Sequence, residues 1–229
     1  MIFAIALAAA VAAAPSAAKQ GAQALAQPGR DSALLHRGAD AVVQAKEQEQ
    51  ERALRGLLAL GGSEAEQAEV TARLANLLRS RGLALTIRAS AAADSDASAA
   101  ERDKAAAHAA RSEAVSLYRE LLRRYPHAPK LDEALFFLAD ALQDSGKDDE
   151  AVAAARELTR RFPRSSWAPA AHVFVGEHLF DKARLADALV EYRAAAEVET
   201  DEVYPYALYK AAWCRFNQNA FGDAMKLLH

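Results

Sequence analysis

Apolar residues recur three or four positions apart along most of the chain, and nowhere do they alternate as a half-buried strand would. Leu34, Leu35, Val42, Val43, Leu54, Leu57 and Leu58 outline a first helical segment, 33–62, whose middle, "QAKEQEQER", is wholly polar and predicts a solvated stretch. Gly61-Gly62 stops it. Ser63 and Glu66 then have the spacing of a capping box, in which the hydroxyl takes a free amide and the carboxylate reaches back. Val70, Leu74, Leu77 and Leu78 carry a second helix to about residue 88. The small, polar run "ASAAADSDAS" predicts a linker over 89–98. Ser98 with Glu101 predicts another capping box, opening a long helix that Tyr125-Pro126 closes, because proline disfavours helical backbone in the residue before it.

Beyond residue 110 the pattern repeats. "EAVSLYRELLRRYP" (113–126) returns as "EAVAAARELTRRFP" (150–163), with nine of fourteen positions identical at an offset of 37. Small residues at Ala114, Ala151, Ala188 and Ala224 are spaced 37, 37 and 36 apart, and a second series, Ala139, Gly176 and Ala212, is spaced 37 and 36. Two independent series with one period predict a stack of helix pairs, each pair a first helix, a short turn and a second helix. Small side chains at these places let paired helices approach closely. Leu138, Leu142, Val152 and Leu158 supply the seam of one unit; Val175, Leu179, Leu185, Leu189 and Tyr192 that of the next; Phe221 and Leu227 continue it. Gly146-Lys147 and Asn219-Ala220 mark turns, with Lys182-Ala183 in that place in the middle unit. Pro169 and Pro205 open first helices, where a missing amide costs nothing. The units fall at 127–163, 164–200 and 201–229, the last incomplete. Residues 67–82 read as a first helix whose partner is delayed until Ala114, making 63–126 a split repeat with insertion 83–110; the alternative is a separate hairpin ahead of the array.

Composition agrees with helix. Apolar residues make up 52% of the 229, much of it alanine, against 7% aromatic. The net charge of -3 is near balance and gives no electrostatic argument for nucleic acid, which wants a basic face. Residues 2–14, "IFAIALAAAVAAA", are too short to span a membrane, which takes about 20 residues. They have the length of a signal-peptide core, and "SAA" at 16–18 offers a cleavage site before Lys19. The segment 1–18 is therefore expected to be a signal peptide and the protein periplasmic; a buried Ala-rich helix in a cytoplasmic protein is the other reading. No Lys or Arg precedes the run. Residues 19–32 read as a flexible lead-in. The chain stops two turns into a second helix without a polar closing helix, which predicts that more repeats or another domain follow.

The units "LADALQDSGKDDEAVAAARELTRRFP" (138–163), "VGEHLFDKARLADALVEYRAAAE" (175–197) and "AAWCRFNQNAFGDAMKLL" (211–228) resemble the tetratricopeptide repeat over roughly 110–229. That repeat is commonly about 34 residues long. The longer units and the "LLRRYP" before the "HAPKL" loop are similar to the envelope branch of the family, including Tol–Pal coordinator and outer-membrane assembly proteins, and the chain as a whole resembles myxobacterial adventurous gliding motility proteins. The resemblance implies an all-α, right-handed solenoid of antiparallel helix pairs that acts as a non-enzymatic protein–protein scaffold. Two other readings stay open: the helical arm of a larger cell-wall enzyme, and a cytosolic adaptor. Its first helices would line a concave groove. Carried over residue by residue, the groove positions are Glu133, Phe136, Asp140, Gln143 and Asp144; then Val173, Glu177, Phe180 and Asp181; then Tyr206, Tyr209, Trp213, Phe216 and Asn217. Such a surface is acidic at one end and aromatic at the other, suited to a peptide or helix with basic and apolar side chains. The alternative is that these rings only pack between adjacent helices, the last ones against repeats that would follow; it weighs equally for Tyr209 and Trp213 and more heavily for Phe136.

Nothing in the sequence points to catalysis, a cofactor, a metal or a small-molecule substrate. His172 and His178 stand six apart, where helical metal ligands want three or four. His36, His108, His127 and His229 are scattered, and Cys214, the single cysteine, lies among aromatics where packing is expected. There is no Gly-rich phosphate loop and no nucleophile elbow. Asp148-Asp149 sit in a polar turn.

Overall fold

The computed structural model describes residues 30–228. The signal-like segment 1–18, residues 19–29 of the lead-in and His229 lie outside the described residues. The rest of the lead-in, 30–32, forms the first residues of helix. The described residues hold nine α-helices and no strand: α1 (Arg30–Leu60), α2 (Glu64–Ala92), α3 (Ala97–Arg124), α4 (Leu131–Gln143), α5 (Asp148–Arg161), α6 (Ala168–Asp181), α7 (Leu185–Ala195), α8 (Tyr204–Asn217) and α9 (Phe221–Lys226). This is an all-α helical-repeat solenoid. The chain divides into two units, Met1–Gln50 and Glu51–His229, with the boundary inside α1. In the first, Val42 and Val43 are exposed along α1 despite their apolar spacing. In the second, Leu54 of α1 is buried, whereas Leu57 and Leu60 stay exposed.

The second unit is four hairpins, α2–α3, α4–α5, α6–α7 and α8–α9, each packed on the next. The small residues sit where helices close on one another. Ala139, Ala212, Ala114, Ala151, Ala188 and Ala224 are all buried, and so is Gly176. At Gly176 the approach leaves no room for a side chain: a Cβ added there would lie 2.8 Å from the Tyr192 ring. The leucines, valines and Tyr192 of the two central seams are buried apart from Leu185, each aliphatic side chain contributing about 1.5–3 kcal/mol. Phe221 departs from its predicted place in the seam. It is half exposed and touches Phe216 instead, because α9 has no further helix beside it among the described residues.

Three hairpins turn in the same way. Gly146, Ala183 and Asn219 adopt left-handed backbone with φ of 71°, 57° and 61°. In each turn the next amide reaches back to the last helical turn: Lys147 N–H to the Leu142 carbonyl, Arg184 to Leu179 and Ala220 to Arg215, each at 2.9 Å. This is the Schellman arrangement, which satisfies carbonyls that a helix end leaves open. The middle turn thus centres on Ala183-Arg184 rather than Lys182-Ala183. Glycine meets the left-handed demand without a Cβ, while Ala183 meets it at a cost. Ala183→Gly is therefore expected to raise unfolding stability by about 0.5–1 kcal/mol, read as a higher urea midpoint at unchanged slope. Pro169 and Pro205 occupy the first turns of α6 and α8.

The Ser63–Glu66 capping box is present, with both reciprocal bonds made. That at Ser98 is not. Asp96 caps α3 instead, its carboxylate accepting the Ala99 amide at 2.9 Å, and Ser98 sits inside the helix accepting from Arg102. The stretch read as a linker is largely helix, because its alanines favour helix as strongly as any residue. The break is confined to residues 93–96. Residues 83–110 thereby lengthen both α2 and α3, closed on each other over Ala89, Ala100, Ala107 and Ala110. At the base of this hairpin, buried Tyr118 donates its hydroxyl to Asn76 at 2.5 Å. Tyr192, 74 residues later, donates to Glu177 at 2.6 Å, so Ala75-Asn76 answers to Gly176-Glu177.

Candidate partner surface on the first helices

The residues assigned to the groove separate into three groups. The first lies on α4, facing α2 and α3. Arg79 pairs with Asp140 at 2.9 Å and lays its guanidinium over Phe137 at 4.1 Å. Asn76 stands 3.4 Å from Glu133. Arg111 donates to the Asp144 carbonyl at 3.1 Å, with its guanidinium 3.9 Å from the Asp144 carboxylate. Partial burial and the neighbouring Asp140 push the Asp144 carboxyl above its usual value. The expected acidic end is therefore matched by arginines of the preceding hairpin, and of the assigned residues there Gln143 is exposed while the Asp144 carboxylate is partly covered. Phe136 is buried and stacks on Trp167 at 4.8 Å, with Phe137 at the edge of the same indole. Its role is packing between α4 and the start of α6.

The second group surrounds Glu177 on α6. Its carboxylate accepts from the Tyr192 hydroxyl at 2.6 Å, the Tyr206 hydroxyl at 3.1 Å and the Lys210 ammonium at 3.0 Å. Lys210 also lies 4.2 Å over the ring of Phe180. Glu177 thus has donors from α7 and α8 and is spent on holding three helices together. Burial, reinforced by Glu177, drives the Tyr192 and Tyr206 phenols far up, so both stay protonated donors. Val173 is fully buried, and Asp181 is exposed. Cys214 is buried beside this cluster, and burial pushes its thiol up to about 11, which leaves it protonated and inert at neutral pH.

The third group is open. On α8 and α9, rings run in sequence from Tyr206 to Tyr209, Trp213, Phe216 and Phe221, with centroids 6.5, 6.3, 5.5 and 5.2 Å apart. Tyr209, Trp213 and Phe216 remain 48%, 41% and 51% exposed, although their neighbours Ala211, Ala212 and Cys214 are buried. Asn217 donates to the Trp213 carbonyl at 2.8 Å and holds the end of α8. Met225 and Leu228 extend the exposed apolar area. Helix periodicity explains the arrangement: positions 206, 209, 213 and 216 lie on one face, opposite the alanines that meet α7.

Sequence reasoning missed the residues that neutralise the groove. Asn76, Arg79 and Arg111 come from the lengthened hairpin, where the insertion interrupts the period. Lys210 had a signal. It stands where Phe174 and Phe137 stand one and two units earlier, and a cation replacing a ring implies a carboxylate nearby. His172 pairs with Glu191 at 2.7 Å, and His178 lies 4.0 Å from Asp149. Among the described residues no group of three His, Cys, Asp or Glu could hold a metal ion, and no helix is long and apolar enough to cross a membrane.

The search of curated proteins found no match. The family described as tetratricopeptide repeat matches residues 133–165, which are α4, α5 and the turn that follows. That hairpin is a tetratricopeptide repeat, a unit that generally serves protein–protein interaction.

Proposed function

We propose that the chain is a non-enzymatic scaffold that holds a partner protein on the aromatic end of its first-helix face. The observation that carries this is the run of exposed rings from Tyr209 to Phe221, flanked by Met225 and Leu228. Rings on a rigid helix offer large contact area at small entropic cost, and Trp and Tyr dominate the energetics of interfaces. A helix or peptide presenting apolar side chains fits this end. The α4 end adds little affinity, since its carboxylates already face Arg79 and Arg111. The reading includes the α2–α3 hairpin as a repeat of the same kind whose helices are lengthened by residues 83–110; the matching bonds of Tyr118 and Tyr192 support it.

The setting proposed is the bacterial cell envelope, in an assembly or gliding-motility machine reached by export. Its support is the apolar run at 2–14 and the "YRELLRRYP" style of the units. Mass spectrometry of the chain from its native source tests export: an amino terminus at Lys19 is expected, and an intact residue 1–18 segment rejects it. For the surface, a photo-cross-linking residue placed at 213 identifies the partner, and binding is then titrated against Trp213→Ala. The variant is expected to weaken binding by about 2 kcal/mol, near thirtyfold, with an unchanged melting temperature. A lowered melting temperature with unchanged affinity assigns the ring to packing and rejects the surface.

A further inference from the structure

A second surface lies on the second helices, between α3 and α5 over the outer side of α4. It is a cavity of about 440 Å³, with Leu122, Leu138 and Leu142 at its base and Arg119, Arg123 and Arg161 on its walls. Two carboxylates accompany them. Glu150 pairs with Arg119, and Glu157 pairs with Arg161 at 2.7 Å. That leaves three cations to two anions, and Arg123 has no ion-pair or hydrogen-bond partner among the described residues.

The pattern recurs one period on. Arg156 and Arg160 occupy the places of Arg119 and Arg123, and neither guanidinium has an ion-pair or hydrogen-bond partner among the described residues. Val190 and Val198 occupy those of Ala153 and Arg161, and they are 67% and 45% exposed. The second-helix face therefore carries unpaired guanidiniums in two consecutive intervals, beside a cavity floored by leucines in the first and exposed valines in the second. Within each interval the arginines stand four residues apart, one helical turn, the spacing at which side chains of a helix are neighbours.

We propose that this face is a docking surface for an acidic amphipathic helix of a partner protein, separate from the aromatic surface on α8 and α9. Its Asp or Glu side chains, one turn apart, meet Arg123 in one interval and Arg156 and Arg160 in the next. Its Leu-type side chains enter the cavity over Leu122 and Leu142 and cover Val190. Arginine suits this work because its planar fork grips a carboxylate through two parallel bonds.

The probe is a fluorescein-labelled Leu/Glu amphipathic peptide of about 18 residues, long enough to hold a helix, with a Leu/Lys peptide of the same pattern as control. Fluorescence anisotropy against the whole chain at low salt is expected to show binding of the Leu/Glu peptide alone, weakened by added salt. Reversal of Arg123→Glu with Arg160→Glu is expected to weaken it by more than about tenfold. The milder pair, Arg123→Gln with Arg160→Gln, gives a smaller loss in the same direction and spares the helix ends, where a new anion is unfavourable. Reversing two cations in the hairpin turns, Lys147→Glu with Lys182→Glu, and the change Trp213→Ala both leave the affinity unaltered. Circular dichroism melting confirms that each variant is folded. The proposal is overturned by absence of binding, by equal binding of the two peptides, or by an equal loss from the turn lysines. Loss on Trp213→Ala with none on the arginine pairs also overturns it and places the peptide on the aromatic surface instead.

Discussion

Tyr192→Ala is expected to destabilise the second unit by about 3–5 kcal/mol, the range for removing a large buried ring. The ring is wholly buried, its edge rests against Gly176 and its hydroxyl donates to Glu177. Truncation leaves a cavity that α6 and α7 cannot close, because the turn through Ala183 and Arg184 fixes how the two helices leave one another. Glu177 keeps donors from Tyr206 and Lys210, so the loss is one of packing more than of charge. Urea unfolding followed by circular dichroism measures it. Tyr192→Phe separates the parts: it keeps the ring, loses one bond to a carboxylate and costs about 1.5–3 kcal/mol. A cost below 1 kcal/mol for the alanine variant would falsify the claim that this ring sets the α6–α7 crossing.

The second large effect is expected at the other side of the same contact. Gly176→Leu is expected to cost about 3 kcal/mol, the upper part of the range for overpacking, although leucine by itself favours helix. The first added atom would already meet three ring atoms of Tyr192 between 2.8 and 3.1 Å. Gly82 gives the contrast. A Cβ there meets Cγ of the Arg111 side chain at 2.8 Å, an aliphatic stem with several rotatable bonds rather than a rigid buried ring. Combining Gly176→Leu with Tyr192→Ala offers the decisive cycle. If the two residues meet, the leucine fills part of the space that the ring vacates and the pair costs clearly less than the sum. Strict additivity means that the residues act apart and that the small-residue rule has another cause.

Much of this fold can be read in the sequence because its determinants are short and repeated. Ala139, Gly176 and Ala212 mark the crossings, and the two prolines mark helix starts, since each residue meets the same neighbours in every unit. What escapes is what the repeat does not carry. Alanine serves helix and linker alike, so "ASAAADSDAS" hides the end of α2 and the start of α3. Asn76, Arg79 and Arg111 act across an insertion, and no spacing rule connects Arg79 to Asp140. The groove divides along the same line. A carried-over position says that a residue lies on the first-helix face, which holds for Glu177 and Trp213 alike. Whether it is spent inside or offered outside depends on the neighbouring unit: Tyr206 and Lys210 reach Glu177, while Trp213 stays 41% exposed.

The carboxylate of Glu177 has one more effect. Units that touch only their neighbours tend to fray one at a time from the ends of an array. By taking donors from α7 and α8 at once, this group couples opening of the α8–α9 hairpin to release of α6–α7. The stretch from α6 to α9 is then expected to melt as one cooperative block, which gives the exposed rings on α8 a firm support.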